Sequence, residues 1–355
     1  MTVISPAPRR RKPWIMAVPL LLVVVLGICW SGLWFFASAH AERELDAWVA
    51  REAMLGRVWD CKDRTLGGFP FRFELMCAEP SLTLRGTGDT VRITAAAGHA
   101  VAQVWAPNHM VAEFQGPAKV QDLATGHVYG ATWSLLQMSG VANMDGIAQR
   151  FSLTVDNPAI QSAPGDTAQT LFTAKHFEAH ARRTPHTSAG GPDGVDYAIG
   201  LVDGNNPGLA GGGGVAGPVN LVLQGSVTAI DNLQPMSLPE RIKAWSAANG
   251  TLKVDTFSLT TPKAALTANG ALGVDPLGRV FGAVSIGFSG VDELTRALAQ
   301  GGIISPEIAS IVNALALAGR PGDVAGRRGT TFSVTLKEGA VQLGKVPMGI
   351  IPPLF

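Results

Sequence analysis

The residues that could do chemistry are few and scattered. His176-Phe177-Glu178-Ala179-His180 is the one cluster of metal-type side chains in the sequence. In a strand, His176, Glu178 and His180 would share a face and offer three donors, because alternate residues point the same way. In a helix the two histidines stand at i and i+4, but the glutamate misses its place in H-E-x-x-H, where it would act as general base beside two zinc ligands. With Arg182 and Arg183 adjacent, the plainer reading is a polar strand face, so no metal ligand is assigned. His99 and His109 stand alone and are expected at the surface or hydrogen-bonded in the core.

Other catalytic patterns are absent. The Gly211 to Gly214 run is followed by no Gly-Lys-Ser/Thr and no helix start, so it reads as loop rather than phosphate cradle. Gly287-Phe288-Ser289-Gly290 has the wrong spacing for a nucleophile elbow. No catalytic residue and no cofactor follows from the sequence. Lys and Arg total 28 against 27 Asp and Glu, for a net charge of +1. That balance speaks against nucleic acid as a partner, since binding phosphate needs a basic surface.

Cysteine spacing is more informative. Cys61 and Cys77 are neither C-x-x-C nor set beside further ligands, so redox and zinc roles are disfavoured and a disulfide is expected. Closing that loop stabilises the fold by about 3 kcal/mol from chain entropy. The third cysteine, Cys29, lies within Trp14 to Phe36, a run of 23 residues without charge. As a helix this run spans roughly 35 Å, enough for a hydrocarbon core of about 30 Å. Arg9, Arg10, Arg11 and Lys12 precede it, while Glu42, Glu44 and Asp46 follow. The positive-inside rule then places the N-terminus in the cytoplasm and the body in the periplasm. A cleaved signal peptide is the competing reading, with Ala37-Ser38-Ala39 or Ala39-His40-Ala41 as the processing site. Against it, the run is long and ends in bulky aromatics.

An amphipathic helix is expected over 37–60, with Leu45, Trp48, Val49, Leu55 and Trp59 near one face. From residue 67 the period becomes two, and Phe69, Phe71, Phe73, Leu75 and Cys77 share a strand face. Strands follow at 80–85, 89–95, 98–105, 109–115, 127–138 and 147–156. Residues 184–217 read as loops around a short strand at Tyr197. Strand alternation returns from Val219 to Ala229, and a helix is expected over Pro239 to Ala248. A strand at 251–260 precedes a hairpin with Ala264, Leu266, Ala268, Gly270, Leu272 and Val274 on one arm. Its turn is Asp275-Pro276-Leu277-Gly278, and Val280, Val284, Ile286 and Phe288 line the return. Ser289 is expected to cap a helix burying Val291, Leu294 and Leu298. A second helix opens at Ser305-Pro306-Glu307 and buries Ile308, Ile311, Val312 and Leu315. Strands at 330–336 and 340–344 complete the body.

Two resemblances accompany these elements. The basic N-terminus, the apolar helix, Trp59-Asp60-Cys61, Gly68-Phe69-Pro70-Phe71-Arg72 and Cys77 together resemble an uncharacterised bacterial envelope family, domain of unknown function 2125, over nearly the whole chain. That resemblance implies no catalytic residues. Ala265 to Asp275, with Gly278 and Gly282, resembles over about thirty residues the A-x-L-x-A-x-G-x-L strands of AsmA-like envelope proteins. Their fold implies an anchored, curved β-sheet whose apolar face handles lipid between membranes.

The expected fold is therefore α+β, a mainly antiparallel curved β-sheet with a few helices packed on it, preceded by an N-terminal transmembrane helix. The expected division is 1–13 basic tail, 14–36 anchor, 37–60 connecting helix, 61–346 β-rich periplasmic domain and 347–355 apolar tail. The expected function is non-enzymatic binding or guiding of lipid or another apolar ligand, with Leu266, Leu272, Val284 and Ile286 on the ligand face. The alternatives are an assembly role with other envelope proteins, through sheet edges or the tail Pro347 to Phe355, and a periplasmic metallohydrolase using His176 and His180.

Overall fold

The computed structural model describes residues 13–85, 90–162, 168–184, 194–206, 217–230, 237–300, 304–343 and 346–355. Arg9 to Lys12 and Gly211 to Gly214 lie outside the described residues, as do the side chains of Trp14, Leu294, Leu298 and Leu315. One helix, α1 (Pro13–Met54), carries the whole apolar run and continues beyond it without a break. Its 42 residues reach about 63 Å. The connecting helix expected to residue 60 thus ends at Met54, and Trp59 belongs to a strand. Gly56, at φ +80°, lets the chain reverse there.

Seven passages of chain follow, each bent once. They are β1 (Arg57–Asp60) into β2 (Asp63–Gly67), β3 (Arg72–Ala78) into β4 (Ser81–Arg85), and β5 (Thr90–Thr94) into β6 (Ala97–Gln103). Next come β7 (Ala106–Gln115) into β8 (Ala118–Asp122), and β9 (Val128–Thr132) into β10 (Leu135–Ala142). The last two are β11 (Ala148–Asp156) into β12 (Ala159–Gln161) and β13 (Thr170–Thr173) into β14 (His176–Thr184). Every bend occupies two residues, and alternate bends are Glu79-Pro80, Gly116-Pro117 and Asn157-Pro158. Proline cannot donate to a ladder. Glu79 and Asn157 adopt φ of +47° and +50°, which turns the strand out of its plane. Backbone groups at the bend find partners on the next passage: Lys62 N donates to Ala78 O, Ala96 N to Gln115 O, and Asn157 N to Lys175 O. The bend in one strand therefore fixes the bend in its neighbour, and a crease runs across all seven.

The remaining elements are β15 (Gly194–Gly204), β16 (Val219–Thr228), α2 (Leu238–Ala247), β17 (Thr251–Thr260), β18 (Ala265–Val274) and β19 (Val280–Ser289). Then come α3 (Val291–Gln300), α4 (Pro306–Ala318), β20 (Arg320–Val324), β21 (Arg327–Lys337), β22 (Ala340–Leu343) and β23 (Val346–Ile350). All pairings among the described residues are antiparallel. On one side of the crease lies a seven-stranded sheet, β1-β4-β5-β8-β9-β12-β13. On the other is a sixteen-stranded sheet that starts β2-β3-β6-β7-β10-β11-β14 and continues through β15 to β19, then β21, β22 and β23; β20 pairs with β21.

Several expectations are corrected. Phe69 and Phe71 sit in the turn between β2 and β3 rather than within a strand. The expected strand at 127–138 is cut by the crease at Trp133-Ser134. The short strand at Tyr197 is an eleven-residue central strand, β15. Ser289 caps nothing: it ends β19, and its Oγ donates to Arg328 O at 2.9 Å. Ser305 does cap α4, accepting from Ile308 N. Yet Ile308 and Ile311 are exposed, and α4 buries Ala309 instead. The segment expected as a tail adds β23 to the sheet. Beyond it, Ile351 N donates to Gly339 O and Leu354 N to Gly278 O, so the C-terminal residues are laid against the body.

Candidate functional site

Directly opposed residues of neighbouring strands share a face, so the register identifies which side chains form a continuous surface. Starting at Leu66 on β2, successive partners are Leu75, Ala100, Ala112, Met138, Leu153 and Ala179. The series goes on through Ile199, Leu223, Phe257, Ala268 and Ile286 to Phe332 on β21. Thirteen strands in succession thus present an apolar residue at this level. At roughly 4.8 Å between strands the row is about 58 Å long. None of the thirteen is fully buried and none is fully exposed.

The flanking rows are of the same character. One runs from Phe73, Ala102 and Met110 to Val284, Val334 and Leu343. The other contains Val155, Phe177, Leu201, Leu221, Leu259 and Leu266. The four residues expected on the ligand face, Leu266, Leu272, Val284 and Ile286, all lie on this surface, where Leu272 opposes Leu252 and Val284 opposes Gly270. Small residues recur within it. Gly270 and Gly282, at φ +152° and +136°, bring β18 and β19 so close that a Cβ on either would collide with a carbonyl of the opposite strand.

Moving each residue by one position gives the reverse face. That row reads Thr65, Met76, His99, Glu113, Gln137, Thr154, Glu178, Gly200, Val222, Ser258 and Thr267. It is held by polar contacts: His99 Nε2 to Glu74 Oε1 at 2.7 Å, and Gln137 Nε2 donating to Glu113 Oε1 at 2.7 Å. The histidine cluster falls here. His176, Glu178 and His180 do share a strand face, as a strand reading requires. Both imidazoles are engaged by carboxylates, His176 Nδ1 with Asp156 Oδ1 at 2.6 Å and His180 Nε2 with Glu178 Oε2 at 3.3 Å. The Asp156 hydrogen bond holds the His176 imidazole above its ordinary value of 6.5; burial opposes it, and Glu178 adds a further rise. Among the described residues no group of three or more His, Cys, Asp or Glu is arranged to hold a metal ion. A hollow lined by Val101, Gln103, Ala106, His109 and Val111 has a volume of about 200 Å³. It is smaller than the roughly 300–1,000 Å³ usual for small-molecule sites.

Of the helices, α1 meets β1 and β2 at one margin of the two sheets, α2 meets the interior strand β18, and α4 meets β21. Gly319, just past α4, is pressed against the Phe332 ring, so the helical pair stands at the far end of the apolar row.

At the near end, the row abuts α1. Trp34, only 5 % exposed, stacks on Phe73 at 6.1 Å and meets Phe69 edge-on at 5.5 Å. Its Nε1 donates to Arg72 O at 3.2 Å, and Trp30 Nε1 donates to Pro70 O at 2.9 Å. Arg64 pairs with Asp46 at 2.6 Å, and Trp48 packs on Trp59 at 5.7 Å. Cys61 and Cys77 form a disulfide, as their spacing leads one to expect, joining the first crease to β3. Cys29 is free and exposed on α1.

The full extent of the row escapes a reading of the sequence, because it depends on registers between strands whose alternation is blurred. The signal that could have found it is the recurrence of Pro80, Pro117 and Pro158, about every forty residues, the mark of an internal structural repeat. Among known families, the one described as an uncharacterised protein conserved in bacteria (DUF2125) matches residues 34–352. No curated protein matches the chain.

Proposed function

We propose that this chain, which belongs to the uncharacterised bacterial family DUF2125, is a membrane-anchored, non-enzymatic protein that carries lipid or a like apolar ligand along one face of its sheet. The observation that carries the reading is the thirteen-strand apolar row, neither fully buried nor fully exposed along its length and backed by a polar face. A packed core would bury such residues, whereas a surface meeting only water would not keep three parallel rows free of charge. Alternation of Ala and Gly with Leu, Ile and Phe gives an acyl chain room to lie close to the backbone. α1 is long and apolar enough to cross a membrane, with a mean hydropathy of 2.4 over its most apolar window. Its anchoring, with the N-terminus in the cytoplasm and the sheets in the periplasm, agrees with the Arg9 to Lys12 charges and with the Cys61–Cys77 disulfide. The metallohydrolase alternative gains no support from His176 and His180, which are committed to neighbouring carboxylates.

The test uses the full chain in vesicles containing a phospholipid with a photoreactive group on its acyl chain. Crosslinks are expected on Met138, Ile199, Leu223 and Ile286 as well as on α1. Crosslinks confined to α1 would overturn the reading.

A further inference from the structure

We propose that the turns joining β2 to β3 and β6 to β7 are seated in the membrane that α1 spans, so that the near end of the apolar row opens directly onto lipid. The inference rests on α1 being a retained membrane span, and it extends the function above by assigning the loading end. The position of the turns relative to the helix carries it. Trp30 and Trp34 lie inside the uncharged run that ends at Phe36; the Trp30 indole N–H donates to Pro70 O within the β2–β3 turn, and that of Trp34 to Arg72 O at the first residue of β3. Pro70 is thereby fixed level with Trp30, about 9 Å before the end of the run at 1.5 Å per residue. A span of 23 residues exceeds a 30 Å hydrocarbon core by only about 5 Å, so a turn held at that depth reaches the interface or beyond it.

The composition of the turns fits that place. Phe71 is 58 % exposed and lies 6.4 Å from Trp105, which is 64 % exposed at the tip of the β6–β7 turn. Phe69, Phe35 and Phe36 extend this exposed aromatic surface. No charged residue occurs from Leu66 to Phe71 or from Val104 to Pro107. The first charge above the turn is Arg72, whose guanidinium pairs with Glu74 at 3.2 Å on the polar face. Aromatic side chains with an arginine just above them are the residues that favour a membrane–water boundary. Phe73 and Ala102, where the flanking apolar row begins, lie one residue in from these turns, after the pair Arg72 and Gln103.

The experiment places an environment-sensitive fluorophore on Trp105→Cys in a Cys29→Ser background, leaving the disulfide closed. A second label site at Phe71→Cys guards against a position-specific folding defect, and Lys119→Cys on the smaller sheet is the reference. The full chain is reconstituted in vesicles of phosphatidylethanolamine and phosphatidylglycerol. Labels at 105 and 71 are expected to emit to the blue and to be quenched several-fold more by acyl-brominated lipid than the label at 119. Equal quenching of all three by aqueous iodide would overturn the seating. This readout is independent of lipid carriage: shallow burial of the labels without crosslinks on Ile199 or Ile286 would leave the seating in place and remove only the carrier reading.

Discussion

Leu223 and Val222 are neighbours on β16 and point to opposite faces, which makes them a matched pair for testing the apolar row. Leu223 opposes Ile199 on one side and Phe257 on the other, while Val222 opposes Gly200 and Ser258 and is 41 % exposed. Replacing each by lysine introduces the same charge in the same strand. Full burial of a leucine is worth about 1.5–3 kcal/mol, so the part-covered Leu223 should cost about 1–2 kcal/mol of stability. Val222→Lys should stay within about 0.5 kcal/mol of the parent, as exposed substitutions do. The effect on lipid is larger. One strand spacing corresponds to about four methylenes of an extended chain, and losing contact with them at 0.8 kcal/mol each costs about 3 kcal/mol. That is a weakening of about 100-fold for a ligand lying across β16. Crosslinking to photoreactive phospholipid in vesicles, with urea unfolding as the control for fold, measures both. If both variants lose crosslinking equally, or neither does, the row is not the binding surface.

Three further outcomes are expected. Cys77→Ser should destabilise the chain by about 3 kcal/mol in urea, and a loss under about 1 kcal/mol would show that the bridge does not restrict the unfolded chain as loop closure requires. His176 binds its proton more tightly folded than unfolded, because Asp156 accepts its hydrogen bond. Its contribution is complete below pH 6.5 and is lost as pH rises through the raised value, so the urea midpoint should fall over that window, and His176→Gln should flatten the slope. Gly270→Ala should cost more than about 1 kcal/mol, since both its φ and the Ala283 carbonyl oppose a Cβ, whereas Asn269→Ala on the exposed side should be near neutral.

Legibility in the sequence followed local physics. The apolar run, the cysteine pair, the β18–β19 hairpin with its Asp275 turn and the Ser305 cap depend on contacts close in sequence, and each is found as read. Asp275 Oδ1 accepts from Leu277 N and Arg279 N, which closes that turn. What failed depended on distant partners. Trp59 continues the apolar face of a helix on paper, but its backbone pairs with Leu82. Ile308 and Ile311 match a buried stripe, yet α4 packs mainly against α3 through Thr295 Oγ1 and Asn313 Oδ1 at 2.9 Å. That Leu266, Leu272, Val284 and Ile286 share one face follows from parity alone. Their place in a row crossing thirteen strands could not be, because a single shift of register would have turned half of them to the other side.

The crease has a consequence for how such a protein can grow. Each pair of bent passages is a self-contained unit of about forty residues that hydrogen-bonds only to the units on either side, the logic of a repeat array. Duplicating one unit in the gene would insert two more rungs, about 10 Å, without disturbing either terminus. Growth by joining copies end to end is closed off. The β2 margin is occupied by α1, and the β23 margin carries Pro347 beside an irregularity in its pairing with β22. The reach of the strip is thus written in the number of units encoded, and a cell can lengthen it only over evolutionary time.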